Sequence, residues 1–151
     1  MTIAITSAPN ETVRRDGGAF ECGGAQVRAQ CRHLATVLSV RGEIDGVNVD
    51  RVGHYLQRFV IGDTPLVVDL SEVSSFAAAG ISMLYGLDEY YRAARVEWTL
   101  VAGPAVSDLL GDDFPAAGSV HEALRSHADA ITSRRQSVLP LIRKSGLAHA
   151  V

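Results

Sequence analysis

The most informative part of this sequence is Leu66-Val67-Val68-Asp69-Leu70-Ser71-Glu72-Val73-Ser74-Ser75-Phe76-Ala77-Ala78-Ala79-Gly80-Ile81. Its first residues, Leu66 to Asp69, form a short apolar run that is typical of a buried strand. From Ala78 to Tyr91, large side chains recur at spacings of three and four residues, which predicts a helix. The serines and alanines in between predict a tight turn. A strand end followed by a helix N-terminus brings backbone N–H groups and a partial positive charge to one place.

The segments on either side of this stretch alternate between strand and helix patterns. Strands alternate apolar and polar residues, whereas helices repeat apolar residues every three or four positions. Before the quoted stretch, the patterns predict a strand over Ala25 to Cys31, a strand over Leu34 to Val40, and a helix from Asn48 or Val49 to about Ile61. After it, they predict a strand over Val96 to Val101 and a short helix over Pro104 to Leu110. A last helix begins at the capping box Ser119-Val120-His121-Glu122 and ends at about Arg135.

This order of elements predicts an α/β fold in a single domain. The two N-terminal strands form a hairpin, and the strands that alternate with helices form a mainly parallel central sheet of four to five strands, with the helices packed on it. Residues 1–24 are polar and glycine-rich and are predicted to form a mobile arm. The domain spans residues 25–135, and a tail of residues 136–151 packs back on it or makes an intermolecular contact.

Composition excludes several classes of function. The chain has 151 residues, enough for one domain with a substantial core, and its net charge of −3 argues against a nucleic acid partner. We find no apolar run of the roughly eighteen residues that a membrane span needs, and no signal-peptide core. The sequence therefore predicts a cytoplasmic protein without a membrane partner, in which Cys22 and Cys31 are free thiols.

The sequence contains no pattern typical of a catalytic or metal site. Its five histidines are scattered, and neither Cys-x-x-Cys nor His-Glu-x-x-His occurs. A Gly-x-Ser-x-Gly elbow and a Walker-type phosphate loop are also absent from the sequence. We therefore expect a protein that is not an enzyme and that holds no metal and no cofactor.

Two motifs resemble those of the STAS domain, the fold of bacterial anti-sigma factor antagonists. The first combines Asp69-Leu70-Ser71, Val73, Phe76 and Gly80-Ile81, and the second is Gly42-Glu43-Ile44-Asp45, about twenty-five residues earlier. In the second motif, Gly42 allows an irregular backbone where the strand ends, and Asp45 can accept N–H groups of the following loop. The resemblance covers roughly residues 25–131. It implies a STAS-type fold whose turn docks on an anti-sigma factor, a kinase-like protein.

The resemblance fails at the position that controls this docking. In the family, an acidic residue and one or two hydroxyl residues precede the glycine, and the serine after the acid receives the phosphate that ejects the antagonist. Here the triplet is Ala77-Ala78-Ala79, so alanine stands at the phosphoacceptor position, Ala78. The nearby Ser74 and Ser75 have two interpretations: turn and cap residues for the helix, or a phosphoacceptor that has shifted along the turn.

We therefore expect a protein-binding regulator of transcription, active in a bacterial stress response. It is either an antagonist held in its binding form or a protein that has left that circuit and binds some other partner through its small, apolar turn. Two alternatives stay open: a STAS-type sensor of a small ligand, and a scaffold subunit of a stress-signalling assembly, with a homo-oligomer formed through the tail. The residues expected to contact the partner are Glu43, Asp45, Ser74, Ser75, Phe76, Ala77, Ala78, Ala79, Gly80, Ile81, Ser82 and Met83.

Overall fold

A computed structural model describes residues 19–32, 34–112 and 114–134. The elements are β1 (Phe20–Cys22), β2 (Ala25–Cys31), β3 (Thr36–Ile44), α1 (Val49–Gln57), β4 (Leu66–Phe76), α2 (Ala78–Ala93), β5 (Trp98–Ala102), α3 (Pro104–Leu110) and a last helix, α4, over residues 120–134. Within these ranges, none of the helices combines the length and the hydropathy that a membrane span requires.

The five strands form one sheet in the order β1-β2-β3-β4-β5. The pairs β1–β2 and β2–β3 are antiparallel, whereas β3–β4 and β4–β5 are parallel. Helices α1 and α2 are the crossovers between the parallel strands, so both cover the same face of the sheet. The predicted α/β fold is confirmed, with antiparallel strands at the N-terminus and a parallel centre.

The main core lies between the sheet and the helices α1, α2 and α3. Its fully buried members alternate along each strand and recur along each helix; they include Val27, Leu38, Val40, Leu56, Leu66, Val68, Leu70, Leu84, Leu87, Tyr91 and Leu100. The Tyr91 hydroxyl donates a hydrogen bond of 2.7 Å to the carbonyl oxygen of Leu56 and so ties α2 to α1. Burial raises the pKa of Tyr91, and the phenol therefore stays a donor.

A smaller cluster fills the opposite face, under α4. It comprises Ala35, Val37, Val67, Val101 and Ala123. The predicted capping box starts this helix: the Glu122 N–H donates to the Ser119 hydroxyl at 3.1 Å. In a usual capping box the Glu122 carboxylate would accept the N–H of Ser119. Here it accepts the N–H of the preceding residue, Gly118, at 3.0 Å. The start of α4 is therefore satisfied by its own side chains.

The prediction of an arm over residues 1–24 is wrong for its last part. Phe20 and Cys22 are buried in β1, an edge strand that pairs with β2. Gly23 and Gly24 have φ angles of +50° and +96°, which allows a two-residue hairpin turn between the strands. The Phe20 ring also stacks on Tyr55 of α1 with a centroid distance of 4.1 Å. The remainder of the arm and the predicted tail lie outside the described residues.

Two strands are longer than predicted. β3 continues to Ile44 and β4 continues to Phe76, so Ser74 and Ser75 lie on a strand and not in a turn. The two strands stay paired through two shifts of register, which place Gly42 opposite Val73 and Ile44 opposite Phe76.

Other boundaries also differ from the predictions. α1 ends at Gln57, where the Arg58 N–H bonds back to the carbonyl of Tyr55, rather than near Ile61. β5 begins at Trp98, because it is there that pairing with β4 starts. Tyr85, which the periodicity placed on the buried face of α2, is 49% exposed.

Gly42 marks the closest approach of β3 to the β1–β2 turn. Its φ is +91°, and a Cβ atom built on it would lie 2.2 Å from the carbonyl oxygen of Gly24. The Glu43 N–H donates to that same oxygen at 3.0 Å. Only glycine fits here, because both the backbone angle and the available space exclude a side chain.

We predict that Gly42→Ala lowers the free energy of unfolding by about 3 kcal/mol, from the left-handed backbone and the collision together. Gly62→Ala is the matched control, because Gly62 has a φ of +57° but a Cβ atom added to it would have no neighbour within 4 Å. This control should cost only about 1 kcal/mol. Urea unfolding of both variants tests the difference, and equal losses would show that the contact with Gly24 is unimportant.

A second prediction concerns His127 on α4. The ring is 6% exposed, and its Nε2 lies 3.0 Å from the Thr99 hydroxyl. Burial lowers the pKa of His127; Glu97 partly opposes this shift, and Arg134 reinforces it. The unfolded chain binds a proton at the ordinary histidine pKa of about 6.5, whereas the folded chain binds it only at lower pH. The free energy of unfolding is therefore highest above pH 6.5 and decreases as the pH falls below that value.

Between about pH 7.5 and about pH 5.5, the wild type should therefore lose more unfolding free energy than His127→Gln. His121→Gln is the control, because His121 lies exposed on the same helix. Urea titrations at the two pH values measure the losses. If the loss is the same for the wild type and His127→Gln, the buried ring does not govern the acid sensitivity.

Candidate functional site

The carboxyl ends of β3 and β4 meet at one edge of the sheet, where α1 and α2 begin. The side chain of Asn48, 1% exposed, holds this edge together. Its amide nitrogen donates to the carbonyl oxygens of Cys22 (3.2 Å), Gly23 (2.9 Å) and Glu43 (2.9 Å). Its Oδ1 accepts the N–H of Asp45 at 3.0 Å. One amide thus joins the β1–β2 turn, the end of β3 and the start of α1.

Asp45 shapes the loop that leads into α1. Its Oδ1 accepts the N–H groups of Val47 at 2.8 Å and of Asn48 at 3.0 Å, as the sequence predicted. Asn48 occupies the N-cap position of α1 but makes no side-chain cap bond, because its Oδ1, the atom that would accept a helix N–H, accepts the Asp45 N–H instead. Asn48 therefore marks the start of α1 without capping it through its side chain.

The connection from β4 to α2 is a single residue, Ala77. Its backbone is extended, with φ −80° and ψ 162°, and its N–H donates to the carbonyl of Ile44 at 2.9 Å. The Gly80 N–H then bonds to the carbonyl of Ala77 at 2.8 Å and closes the first helical turn. Neither of these bonds at the start of α2 uses a side chain of the triplet Ala77-Ala78-Ala79.

The serines near this connection do not cap α2, contrary to the first interpretation. The Ser74 hydroxyl donates to the carbonyl of Gly42 at 3.1 Å, and the Ser71 hydroxyl donates to Asp69 at 2.6 Å. The reason is that β4 extends beyond both residues, so their side chains point along the strand pairs and not at the helix end. Ser75 is exposed at the end of the strand.

Phe76 and Gly80 form the inner wall of this site. Phe76 is 8% exposed, and a Cβ on Gly80 would lie 2.4 Å from two carbon atoms of its ring. Both residues were expected to contact the partner directly. The structure buries them beneath the surface, where they support the first turn of α2. The glycine is required because the ring occupies the space of a side chain.

The outer wall is small and uncharged. Ala78 and Ser82 are exposed, whereas Ala77, Ala79, Ile81 and Met83 are partly buried. The first turn of α2 carries no acidic residue. Of the two loop residues expected here, Glu43 is exposed and Asp45 is partly buried at the neighbouring end of β3.

A groove of about 310 Å³ runs from this turn between α1 and α2. Met83 enters it and packs 3.2 Å from the place of a Cβ on Gly53, so the missing side chain of Gly53 makes room for the thioether. Asp50 and His54 are the ionisable groups on its α1 side. Within the described part of the chain, no three His, Cys, Asp or Glu side chains lie together as metal ligands would. The arrangement suits docking of a surface.

The contact between Phe76 and Gly80 yields a prediction. Gly80→Ala should cost about 2 kcal/mol of unfolding free energy through overpacking, and Phe76→Leu should relieve part of that cost in the double variant. Gly86→Ala, on the same helix with no atom within 4 Å, should instead be neutral or stabilising. A double-mutant cycle by chemical denaturation measures the coupling. Strictly additive losses would contradict the proposed collision.

Residues 26–110 match the family model of the STAS domain. This chain belongs to the STAS domain family. Osmosensory protein A of Mycobacterium tuberculosis is 51% identical over 157 residues, an alignment that covers 96% of this chain and 99% of that protein. The resemblance inferred from the two motifs is confirmed.

A solved structure supports the fold. The crystal structure of an anti-sigma factor antagonist from Mycobacterium paratuberculosis matches with a TM-score of 0.59 at 24% identity, covering 69% of this chain and 94% of that one. The match to the STAS family ends at residue 110, before α4, whereas the similarity to osmosensory protein A extends over nearly the whole chain.

Sequence reasoning missed the role of Asn48 and the burial of His127. The signal for Asn48 was its position three residues after Asp45, between a strand and a helix. Two Asx side chains at such a spacing can form hydrogen bonds with the backbone groups of the loop between them. No comparable signal marks His127, because its partner Thr99 lies 28 positions away along the chain.

Proposed function

We propose that this STAS domain is a regulatory protein of the anti-sigma factor antagonist type, which acts by binding an anti-sigma factor and not by catalysis. The observation that carries the proposal is the exposed, uncharged first turn of α2 around Ala78, supported from within by Phe76 and next to the groove that Met83 lines. Such a rigid surface of small residues allows a partner to approach closely. The STAS family membership supports the same conclusion.

In this proposal, regulation by phosphate at Ala78 is absent. A methyl group cannot accept a phosphoryl group, which elsewhere would add roughly −1.5 to −2 charges at this surface. The protein is then a constitutive antagonist whose activity follows its concentration. Ser75, exposed at the end of β4, is the alternative acceptor, while the hydroxyl of Ser74 is engaged with Gly42.

We further propose that the regulator acts in the cytoplasm during osmotic stress. The support is the name of the M. tuberculosis relative, osmosensory protein A, which is similar along almost the full length. A sigma factor released by the antagonist would then direct transcription to the genes of that response.

The test is Ala78→Asp. The new carboxylate should weaken the complex with the anti-sigma factor about tenfold, because it places an unpaired charge in a docking surface. It should not destabilise the fold, since an acidic residue at a helix N-terminus interacts favourably with the helix dipole. Ala116→Asp, at an exposed position in the loop before α4, is the matched control.

Each anti-sigma factor of the organism that encodes this chain is purified and its affinity measured by biolayer interferometry, before and after incubation with ATP. We expect binding that ATP leaves unchanged, that Ala78→Asp weakens and that Ala116→Asp preserves. Equal affinity of the two variants would exclude the α2 turn as the contact. If Ser75 gains phosphate and the complex dissociates, the protein is a regulated antagonist and the proposal of constitutive activity is wrong.

A further inference from the structure

The outer face of α1 carries two arginines with a histidine between them. Arg51, His54 and Arg58 follow one another at spacings of three and four residues, so they lie on the same side of the helix. This cluster contrasts with its surroundings, because residues 19–134 contain fifteen Asp or Glu and nine Arg, which leaves a net charge of −6. A local positive face on a negatively charged domain requires an explanation.

The two arginines of this face have no carboxylate within ion-pair distance among the described residues. Three other arginines of the domain are paired: Arg41 with Glu72, Arg92 with Asp88 and Arg134 with Glu97. The guanidinium of Arg51 donates only to the Cys22 sulfur, at 3.7 Å. That of Arg58 lies 6.0 Å from the centre of the Tyr55 ring. Both retain N–H groups for an external acceptor.

These side chains are held in position. Arg51, His54 and Arg58 line a pocket of about 330 Å³ whose floor is formed by Phe20 and Tyr55. The two rings are nearly parallel, with an angle of 6° between them, and Tyr55 is 4% exposed. The rings provide a fixed surface under the guanidinium groups, so binding an anion costs little side-chain ordering.

The cationic face is continuous with the docking surface. His54 lines both the pocket beside β1 and the groove between α1 and α2. A partner that covers Ala78 and Met83 therefore reaches Arg51 and Arg58 by extending across one helix. The two surfaces meet along the exposed ridge of α1.

We propose that the Arg51–His54–Arg58 face is a second half of the partner interface and binds carboxylate side chains of the partner. This inference rests on the proposed function. Arginine forks bind carboxylates through two parallel hydrogen bonds, and the opposite charges speed association. A protein surface fits better than a nucleic acid, because two arginines on a domain of net charge −6 do not supply the extended basic track that a phosphate backbone needs.

The experiment compares the double variant Arg51→Glu/Arg58→Glu with Arg125→Glu. Arg125 is exposed on α4, which covers the opposite face of the sheet. Arg125→Glu therefore makes the same type of charge reversal far from the proposed interface. Circular dichroism and thermal unfolding establish that both variants are folded. Binding to the anti-sigma factor is then measured at low and at physiological salt.

We expect the double variant to bind about tenfold or more weakly, mainly through slower association, and to lose most of the salt dependence seen with the wild type. Arg125→Glu should keep both the affinity and the salt dependence. If the double variant binds as tightly as Arg125→Glu while Ala78→Asp binds weakly, the inference about α1 is overturned and the proposed function stands.

A separate measurement applies if no anti-sigma factor binds, which would overturn the proposed function. A short polyglutamate peptide is then the probe, and the Nε–H resonances of Arg51 and Arg58 are followed by NMR. Shifts of these two resonances that Arg125→Glu retains, together with loss of peptide binding by the double variant in calorimetry, support a carboxylate-binding face with another partner. Unshifted resonances overturn it.

Discussion

The hydrogen bonds of one buried amide, that of Asn48, determine how the functional edge of this domain is built. Three carbonyl groups from two separate segments converge on its nitrogen, which shares its two N–H groups among them. Leaving such groups unsatisfied costs about 1–3 kcal/mol each. The contact also fixes where α1 starts relative to β3, because the Asn48 backbone leads directly into the helix. The groove between α1 and α2 depends on that placement.

The shape of the α2 turn is independent of the side chains at positions 77–79. Its backbone is set by the bond from the Ala77 N–H to the Ile44 carbonyl and by the fit of Gly80 over the Phe76 ring. Neither interaction uses a side chain of the triplet Ala77-Ala78-Ala79. The residues that carry the family's phosphate chemistry can therefore change while the surface that surrounds them stays in place.

Much of the fold follows from patterns within short segments. The alternation in Ala25–Cys31 predicted β2 with its observed bounds, and the periodicity after Ala78 predicted where α2 begins. The strand β1 was missed because three residues carry little pattern, and its burial comes from a distant contact, Phe20 on Tyr55. A turn was predicted for the second half of β4 because shifts of register are a property of strand pairing and are not visible in one strand.

The candidate site was predictable in place but not in detail. The motifs located the edge where β3 and β4 end, and the structure places Glu43, Asp45 and the α2 turn there. Which residues face outward could not be predicted, since it depends on a ring, Phe76, filling the space above Gly80. The cations of α1 were readable along the helix, but their lack of acidic partners is a property of the folded surface.

The unequal covering of the two sheet faces has a consequence for how the molecule opens. α1 and α2 are anchored in the main core, whereas α4 rests on a small cluster around Val67 and Val101. Regions with few buried apolar contacts open locally, at a lower free energy than global unfolding. Transient detachment of α4 would bare that stripe of the sheet while the edge built around Asn48 stays formed. In terms of energetics, α4 is expected to open at a lower free energy than the core between the sheet and the helices α1 and α2.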